Sequence, residues 1–229
     1  MVDSIIFRPG VINIFTDASI TPLGNGTWDG CSGAIVIDEK GDEIDESLLI
    51  IRHCTNNIAE LMGINAGVDL GLDYVGKVRR INLFSDSKIS VLGLREWIWT
   101  WLNNYRNNDL STLRSSSGTP VKNVNLIVQI INKITSIDYD RTQFNIYHCK
   151  GHAKGKGELV QKTFKDVNHI NIPIEDAIRL ADYNDRIDVL TRETLLSNTK
   201  EYDLVIPPFT IIPLNIPRYK NVIGGRSFK

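Results

Sequence analysis

Two apolar segments of the sequence each lead into an aspartate. VINIFT (residues 11–16) ends at Asp17, and RRINLFSDS (79–87) carries Asp86 near its end. VINIFT is rich in apolar and β-branched residues, which is typical of a buried strand, and RRINLFSDS is also predicted to form a strand. Strand side chains alternate between faces, so each aspartate shares a face with the phenylalanine two residues before it. Ligands of open α/β sheets bind beyond the carboxyl ends of the strands, so the sequence predicts two carboxylates at such an edge.

The two aspartates allow two interpretations. An aspartate after a strand often begins a turn, and this interpretation remains open for either residue alone. If the strands are neighbours, however, two carboxylates so close would repel each other unless a cation lay between them. Carboxylate oxygens favour Mg²⁺ or Mn²⁺ over zinc, so the pair then indicates a divalent-cation site.

The order of the other elements predicts one α/β sheet. Segments 32–37 and 47–54 look like strands joined through the turn-rich DEKGDE, which makes the first three strands a meander. Helices are predicted over 57–72, from about Lys88 into REWIWTWLNNY, from about PVKNVNLIVQIINKI onward and over 183–196, with a fifth strand over 143–149. A meander feeding parallel strands through crossover helices predicts a five-stranded mixed sheet covered on both faces.

Composition narrows the class of protein. The 229 residues, 42% hydrophobic and 23% charged, suit one large globular domain. No apolar run is long enough to cross a bilayer and the start lacks a signal-peptide pattern, so no membrane association is expected. Three widely spaced cysteines, Cys31, Cys54 and Cys149, are expected to be reduced, which favours a cytoplasmic location. A net charge of −1 argues against indiscriminate coating of nucleic acid, but not against a local basic face.

Glu60, in TNNIAEL (55–61), lies near the start of the first predicted helix with no Lys or Arg three or four residues away. In one interpretation Asn57 is the helix cap and Glu60 reaches back to its backbone N–H as part of a capping box. In the other, Glu60 is held for a metal ion together with Asp17 and Asp86.

Five segments, taken in order, resemble the motifs of the type 1 ribonuclease H family. They are FTDAS (15–19), TNNIAEL (55–61), FSDSK (84–88), CKGHA (149–153) and NDRIDVLT (184–191). GTPVKNVNL (118–126) also resembles the segment after the family's substrate-binding protrusion. The resemblance covers roughly residues 10–198, and each motif lies where the ribonuclease H-like fold requires it.

The resemblance implies a four-carboxylate site made of Asp17, Glu60, Asp86 and Asp188. Such enzymes hold two Mg²⁺ ions, for which Mn²⁺ substitutes, and cut the RNA strand of RNA–DNA hybrids endonucleolytically. One ion activates the attacking water and the other stabilises the leaving 3′ oxygen, giving 5′-phosphate and 3′-hydroxyl ends. His152 matches the family's mobile-loop histidine, which shuttles protons or helps the product to leave, although a solvated loop histidine is the alternative.

The resemblance also implies residues that contact the hybrid. Asn56 and Asn57 match asparagines that contact the 2′-hydroxyl and base edges of the RNA strand. Thr55 matches a residue of the pocket that grips a phosphate of the DNA strand. Helix capping is the alternative for all three. Asn184 is expected beside the substrate site, where it would orient Asp188 or a metal-bound water.

An insertion at about 153–182 makes the gap between the last two motifs much longer than is usual in the family. Residues 141–166 hold six Lys or Arg against two acids, so this stretch either grips phosphate backbone or is a solvated basic loop. Lys88 has the same two interpretations. Within the insertion, PIEDAIRLA (173–181) predicts an extra helical turn or two.

We therefore expect a ribonuclease H-like domain over residues 1–199 and a proline-punctuated tail over 200–229. The tail is expected to be extended, packed on the domain or docking a protein partner. The leading functional hypothesis is hydrolysis of the RNA strand of hybrids. The alternatives are another nuclease of the same fold, such as a junction resolvase or exonuclease, and a non-catalytic hybrid-binding module.

Overall fold

The computed structural model describes residues 4–23, 28–102, 109–138 and 140–197. The strands are β1 (Val11–Pro22), β2 (Trp28–Ile37), β3 (Glu43–Cys54), β4 (Arg80–Ser85) and β5 (Gln143–His148). The α-helices are α1 (Asn56–Leu72), α2 (Lys88–Leu92), α3 (Ile98–Leu102), α4 (Val124–Thr135), α5 (Gly157–Asn168) and α6 (Ile174–Ser197). A π-helical segment, Gly93–Trp97, joins α2 to α3. The predicted tail, 200–229, lies outside the described residues.

The sheet has the strand order β3-β2-β1-β4-β5. Strands β1, β2 and β3 pair antiparallel, whereas β4 and β5 run parallel to β1. This confirms the predicted five-stranded mixed sheet. In the register of β1 and β4, Thr16 lies opposite Ser85, so Asp17 and Asp86 are the next residues along two neighbouring strands. None of the helices in the described ranges has the length and hydropathy needed to cross a membrane.

Two hydrophobic cores cover the two faces of the sheet. On one face, Ile14 and Leu83 pack with apolar residues of α1 and α4. On the other, the rings of Phe15 and Phe84 stack with centroids 5.0 Å apart, in a core shared with α5 and α6. Full burial of one such side chain stabilises the fold by about 1.5–3 kcal/mol, so both strands are firmly fixed just before their aspartates.

Helix α1 lies unusually close to the sheet because three glycines one turn apart, Gly63, Gly67 and Gly71, face it. A Cβ atom at Gly63 would lie 2.9 Å from the backbone oxygen of Asp17, closer than real Cβ atoms come. A side chain there would push α1 away from β1. The glycine contact therefore sets how near the first turns of α1, which carry Glu60, come to the end of β1.

The start of α1 differs from the predicted capping box. Thr55, not Asn57, is the N-cap, and its hydroxyl accepts a hydrogen bond from the backbone N–H of Ile58 at 3.3 Å. Thr55 has the extended backbone that an N-cap requires, whereas Asn57 is already helical. The prediction that Asn57 caps the helix is wrong, and Glu60 lies too far along the helix to complete a box with Thr55.

The insertion is helical where the sequence suggested a basic loop. Val160 and Phe164, four residues apart on α5, are buried against the sheet and α6. The helices predicted separately over 173–181 and 183–196 form one continuous helix, α6. It continues because no proline or glycine interrupts it after residue 173.

Three asparagines lie side by side in register across β1, β4 and β5. The amide nitrogen of Asn82 donates to the amide oxygen of Asn13 at 3.1 Å, and that of Asn145 donates to Asn82 at 3.4 Å. The amides of Asn13 and Asn82 also donate to the carbonyls of Ile6 and Ile5. This polar row therefore holds the segment before β1 against the sheet.

Candidate active site at the carboxyl ends of β1 and β4

Three carboxylates converge where β1 passes the carboxyl end of β4. The first strand does not end at Asp17, as the sequence predicts, because pairing with β2 continues it to Pro22. One oxygen of each of Asp17, Glu60 and Asp86 lies within 4.8 Å of the others. Asp17 belongs to β1, Asp86 follows β4, and Glu60 comes from the first turns of α1. The structure thus brings together three of the four carboxylates that the sequence indicated.

Burial and mutual repulsion disfavour the charged forms of these side chains. Burial, together with the charges of Asp86 and Asp188, raises the pKa of Asp17 to about 8, although the backbone N–H of Ala18 donates to Asp17 at 2.7 Å and opposes this rise. Burial and repulsion from Asp17 and Asp86 together raise the pKa of Glu60 to about 9. The site therefore favours bound protons or a cation.

Neighbouring groups act on the pKa of Asp86 in opposite directions. Burial raises its pKa, and the negative charge of Asp188 adds to this, whereas the positive charges of His152 and Lys150 oppose it. Gly151 allows the loop after β5 to pass against this carboxylate, because a Cβ atom there would lie 2.0 Å from Oδ2 of Asp86. The loop and the carboxylate are thus in direct contact.

The donor set fits a divalent cation. The Oε2 atom of Glu60 is buried without a hydrogen-bond partner among the described residues, which is costly for a polar atom unless something else binds it. Three carboxylates supply hard oxygen ligands of the kind that Mg²⁺ and Mn²⁺ prefer. These three residues would hold such an ion and cancel their own repulsion.

Asp188 lies beside this group and has partners of its own. Its Oδ2 atom lies 3.2 Å from Nη1 of Arg192, one turn later on α6, and 3.9 Å from Nδ1 of His152. It is not part of the 4.8 Å group, yet its charge acts on Asp17 and Asp86. The side chain of His152 is 81% exposed, on a residue with φ of 51°.

Asn184 is buried, so it does not contact substrate directly, and its expected role of orienting Asp188 or a metal-bound water stays a prediction. It is 2% exposed, and its amide oxygen accepts a hydrogen bond from the thiol of Cys149 at 2.9 Å. Burial raises the pKa of Cys149, so this thiol stays protonated and can donate. We therefore assign Asn184 to fixing α6 against the end of β5, and we no longer expect it to contact substrate.

The other predicted contact residues lie on the surface. Thr55, Asn56 and Asn57 are exposed at the start of α1, and Lys88 is exposed at the start of α2. Asn57 lines a groove of about 380 Å³ that also includes Trp97 of the π-helical segment. All of them are accessible to a ligand that lies across the carboxylates.

Sequence reasoning missed residues that act through close approach rather than charge. Gly63 and Gly151 are the main examples, since each lets backbone come near a carboxylate residue. The four-residue spacing of glycines in GINAGVDLG was the available signal for the first. For Gly151, only its place beside His152 in CKGHA hinted at such a role.

Comparison with known proteins gives a family match. The sequence model of the RNase H family matches residues 9–165, a range that includes Asp17, Glu60, Asp86 and His152 but ends before Asp188. A search of curated proteins found no match.

Several solved structures are similar to this chain. RNase H1 of the archaeon Halobacterium salinarum is 19% identical with a TM-score of 0.42, over 62% of this chain and 86% of that one. LC11-RNase H1, isolated from compost, is 21% identical with a TM-score of 0.45, over 83% of this chain and 99% of that one. The same compost protein in complex with an RNA/DNA hybrid is 16% identical with a TM-score of 0.42, over 70% and 93%. Because the family match spans well over half of the sequence, the chain belongs to the RNase H family and is a ribonuclease H hydrolase.

Proposed function

We propose that this protein cuts the RNA strand of RNA–DNA hybrids endonucleolytically with two divalent metal ions, Mg²⁺ or Mn²⁺. The products are 5′-phosphate and 3′-hydroxyl ends. The observation that carries the proposal is the convergence of Asp17, Glu60 and Asp86 within 4.8 Å, in a chain of the RNase H family. Carboxylates so close and so buried are unfavourable unless protons or a cation cancel their charge, and such clusters are typical of functional sites.

Each side chain has a defined task in this reaction. Bound ions supply the charge that activates water and stabilises the leaving oxygen. Asp17, Glu60 and Asp86 hold that charge in a fixed position, and Asp188 completes the set from α6. The Asp188 carboxylate also pairs with Arg192, one turn later on α6. The exposed imidazole of His152 takes up or gives a proton as the product leaves.

Recognition of the hybrid is assigned to the start of α1. The exposed side chains of Asn56 and Asn57 offer amide donors and acceptors to the 2′-hydroxyls that distinguish RNA from DNA. The hydroxyl of Thr55 caps the helix, and because Thr55 is exposed we assign it a second contact, with a phosphate of the DNA strand. LC11-RNase H1 has been crystallised with an RNA/DNA hybrid, which supports the same substrate class for this chain.

The test is incubation of a hybrid labelled on the RNA strand with Mg²⁺, alongside duplex DNA, duplex RNA and a four-way DNA junction. We expect cleavage of the hybrid alone, with ends that a ligase joins without prior phosphorylation. Asp86→Asn is the control that separates this site from a contaminating nuclease. Absence of hybrid cleavage by the wild type, preference for the junction, or undiminished cleavage by Asp86→Asn would contradict the proposal.

A further inference from the structure

A groove of about 460 Å³ opens beside Asp86, between the loop after β5 and helix α5. Its volume falls within the range of about 300–1,000 Å³ that is usual for ligand sites. The polar and charged residues that line it are Asp86, Lys88, His148, Lys150, His152 and Thr163. It therefore joins the carboxylate group to the inserted helix.

The charged side chains that line the groove are the acid Asp86 and two lysines. Lys88 and Lys150 are both exposed, and neither forms an ion pair with any residue in the described ranges. Asp86 is the one acid in the described lining. Unpaired ammonium groups on the wall of a concave surface attract anions and, above all, phosphate groups.

The groove also has polar groups that no atom of the described residues satisfies. Thr163 lines the groove from α5, and no described residue pairs with its hydroxyl. His148 is 6% exposed, and its Nδ1 atom has no hydrogen-bond partner in the described part of the chain. Buried polar atoms are nearly always paired, so an unpaired one at a groove indicates a ligand or ordered water.

Helix α5 is fixed in a way that holds Thr163 in place. The side chain of Asn168 donates to the carbonyl of His148 at 2.7 Å and accepts from its N–H at 3.0 Å, which joins the end of α5 to edge strand β5. The guanidinium of Arg95 donates to Asn168 and to the carbonyl of Val167, both at 2.8 Å. Because α5 is bonded both to β5 and to Arg95, Thr163 is held in a defined position for contact with a ligand.

We propose that this groove binds a phosphodiester group of the cleaved strand, next to the phosphate that is cut. The inference rests on the proposed function. Because the groove shares Asp86 with the carboxylate group, a strand whose phosphate lies at the carboxylates carries its neighbouring phosphate into the groove. Lys88 and Lys150 bind that phosphate by charge, and Thr163 donates a hydrogen bond to it. The inserted helix thus extends the substrate site of this chain.

The first experiment measures the salt dependence of hybrid binding by fluorescence anisotropy without divalent ions. Each lysine that neutralises a phosphate contributes about one to the slope of log K against log salt. We expect Lys150→Gln to lower this slope by about one, and Lys88→Gln to do the same. Lys165→Gln is the matched control, an exposed lysine of α5 outside the groove, and should leave the slope unchanged.

The second experiment identifies the phosphate. Single neutral methylphosphonate linkages are moved along the cleaved strand, and binding is measured for the wild type, Lys150→Gln and Thr163→Val. One linkage adjacent to the cleavage site should weaken binding by the wild type but not by Lys150→Gln, as in a double-mutant cycle. Lys165→Gln should respond to that linkage like the wild type.

The outcomes separate the two proposals. A wild type that neither binds nor cuts hybrid overturns both. This inference alone is overturned if the wild type cuts hybrid but two results are negative. These are an unchanged salt slope in both Lys88→Gln and Lys150→Gln, and the absence of any linkage whose effect depends on Lys150. A phosphate on the uncut strand that couples to Lys150 also overturns it as stated.

Discussion

Two pairs of polar side chains lie on one face of β1 and β4. They differ in whether the protein itself satisfies their polar atoms. Asn13 and Asn82 lie at the amino end, fully buried, bonded to each other and to the segment before β1. Asp17 and Asp86 lie on the same face four residues later, just past the point where β1 and β4 stop pairing, which we call the carboxyl end of the pair. There, burial raises the pKa of both carboxyl groups, and an oxygen of nearby Glu60 has no partner in the described residues.

The comparison teaches how structural and functional polar groups differ in one sheet. The asparagine pair is neutral and satisfied within the protein, so it stabilises the fold. The carboxylates are left in need of a counter-charge, so they lower stability until a ligand binds. The predictions below alter one end or the other.

The largest expected effect is on activity at the carboxyl end. Asp86→Asn should lower the rate of hybrid cleavage about 10³-fold or more, roughly 4 kcal/mol of transition-state stabilisation, because it removes a group that holds the catalytic charge. The same variant should melt no lower than the wild type without metal, since repulsion with Asp17 falls. Single-turnover cleavage and thermal melts measure the two effects. A variant that melts much lower would mean that Asp86 is structural.

The converse change at the amino end should act on stability. Asn82→Asp places an uncompensated charge among fully buried groups, which should lower the free energy of unfolding by about 3–5 kcal/mol. Urea denaturation at neutral pH measures this loss. Asn145→Asp, at the partly exposed end of the asparagine row, is the matched control and should cost less. Equal losses would remove the distinction between the buried pair and its surroundings.

A substitution in α1 should affect both properties moderately. Gly63→Ala forces a Cβ atom toward the backbone oxygen of Asp17, so we expect a loss of about 1–3 kcal/mol in the free energy of unfolding. Because α1 carries Glu60, cleavage at limiting Mg²⁺ should fall more than cleavage at saturating Mg²⁺. A stability loss with an unchanged metal requirement would contradict the claim that this contact positions Glu60.

The last expected effect is a dependence of the free energy of unfolding on pH without metal. The pKa of Asp17 is raised to about 8 and that of Glu60 to about 9, so the folded protein binds protons that the unfolded chain has lost. The contribution of these two groups to the free energy of unfolding should therefore be greatest below about pH 4, and it should fall as pH rises toward 9. Asp17→Asn should make the fall shallower. Melts across this range in EDTA, repeated with Mg²⁺, check this, since the ion replaces the protons.

Much of the fold and part of the site could be predicted from local patterns. Alternation within strands places Asp17 and Asp86 on the face of Phe15 and Phe84, and this feature depends on sequence periodicity alone. The sequence leaves open whether β1 and β4 are neighbours, and the sheet pairs them. Glu60 is the third candidate ligand because no Lys or Arg is spaced to pair with it and because TNNIAEL resembles a family motif.

What could not be predicted depends on packing between distant segments. The burial of Asn184 follows from its contact with Cys149, 35 residues earlier. Helix α5 was hidden by flanking glycines and by lysines typical of a loop, although Val160, Phe164 and Asn168 have helical spacing. Thr55, rather than Asn57, caps α1 because β3 ends at Cys54 and the helix begins two residues later, at Asn56.

The central claim is that three carboxylates form a site for divalent ions. The most direct test is anomalous diffraction from crystals soaked in Mn²⁺. The account predicts an anomalous peak within roughly 2.0–2.3 Å of oxygens of Asp17, Glu60 and Asp86 together, and no such peak in Asp86→Asn crystals. Well-ordered carboxylates with no peak between them at saturating Mn²⁺, or a peak bound by none of the three, would contradict it.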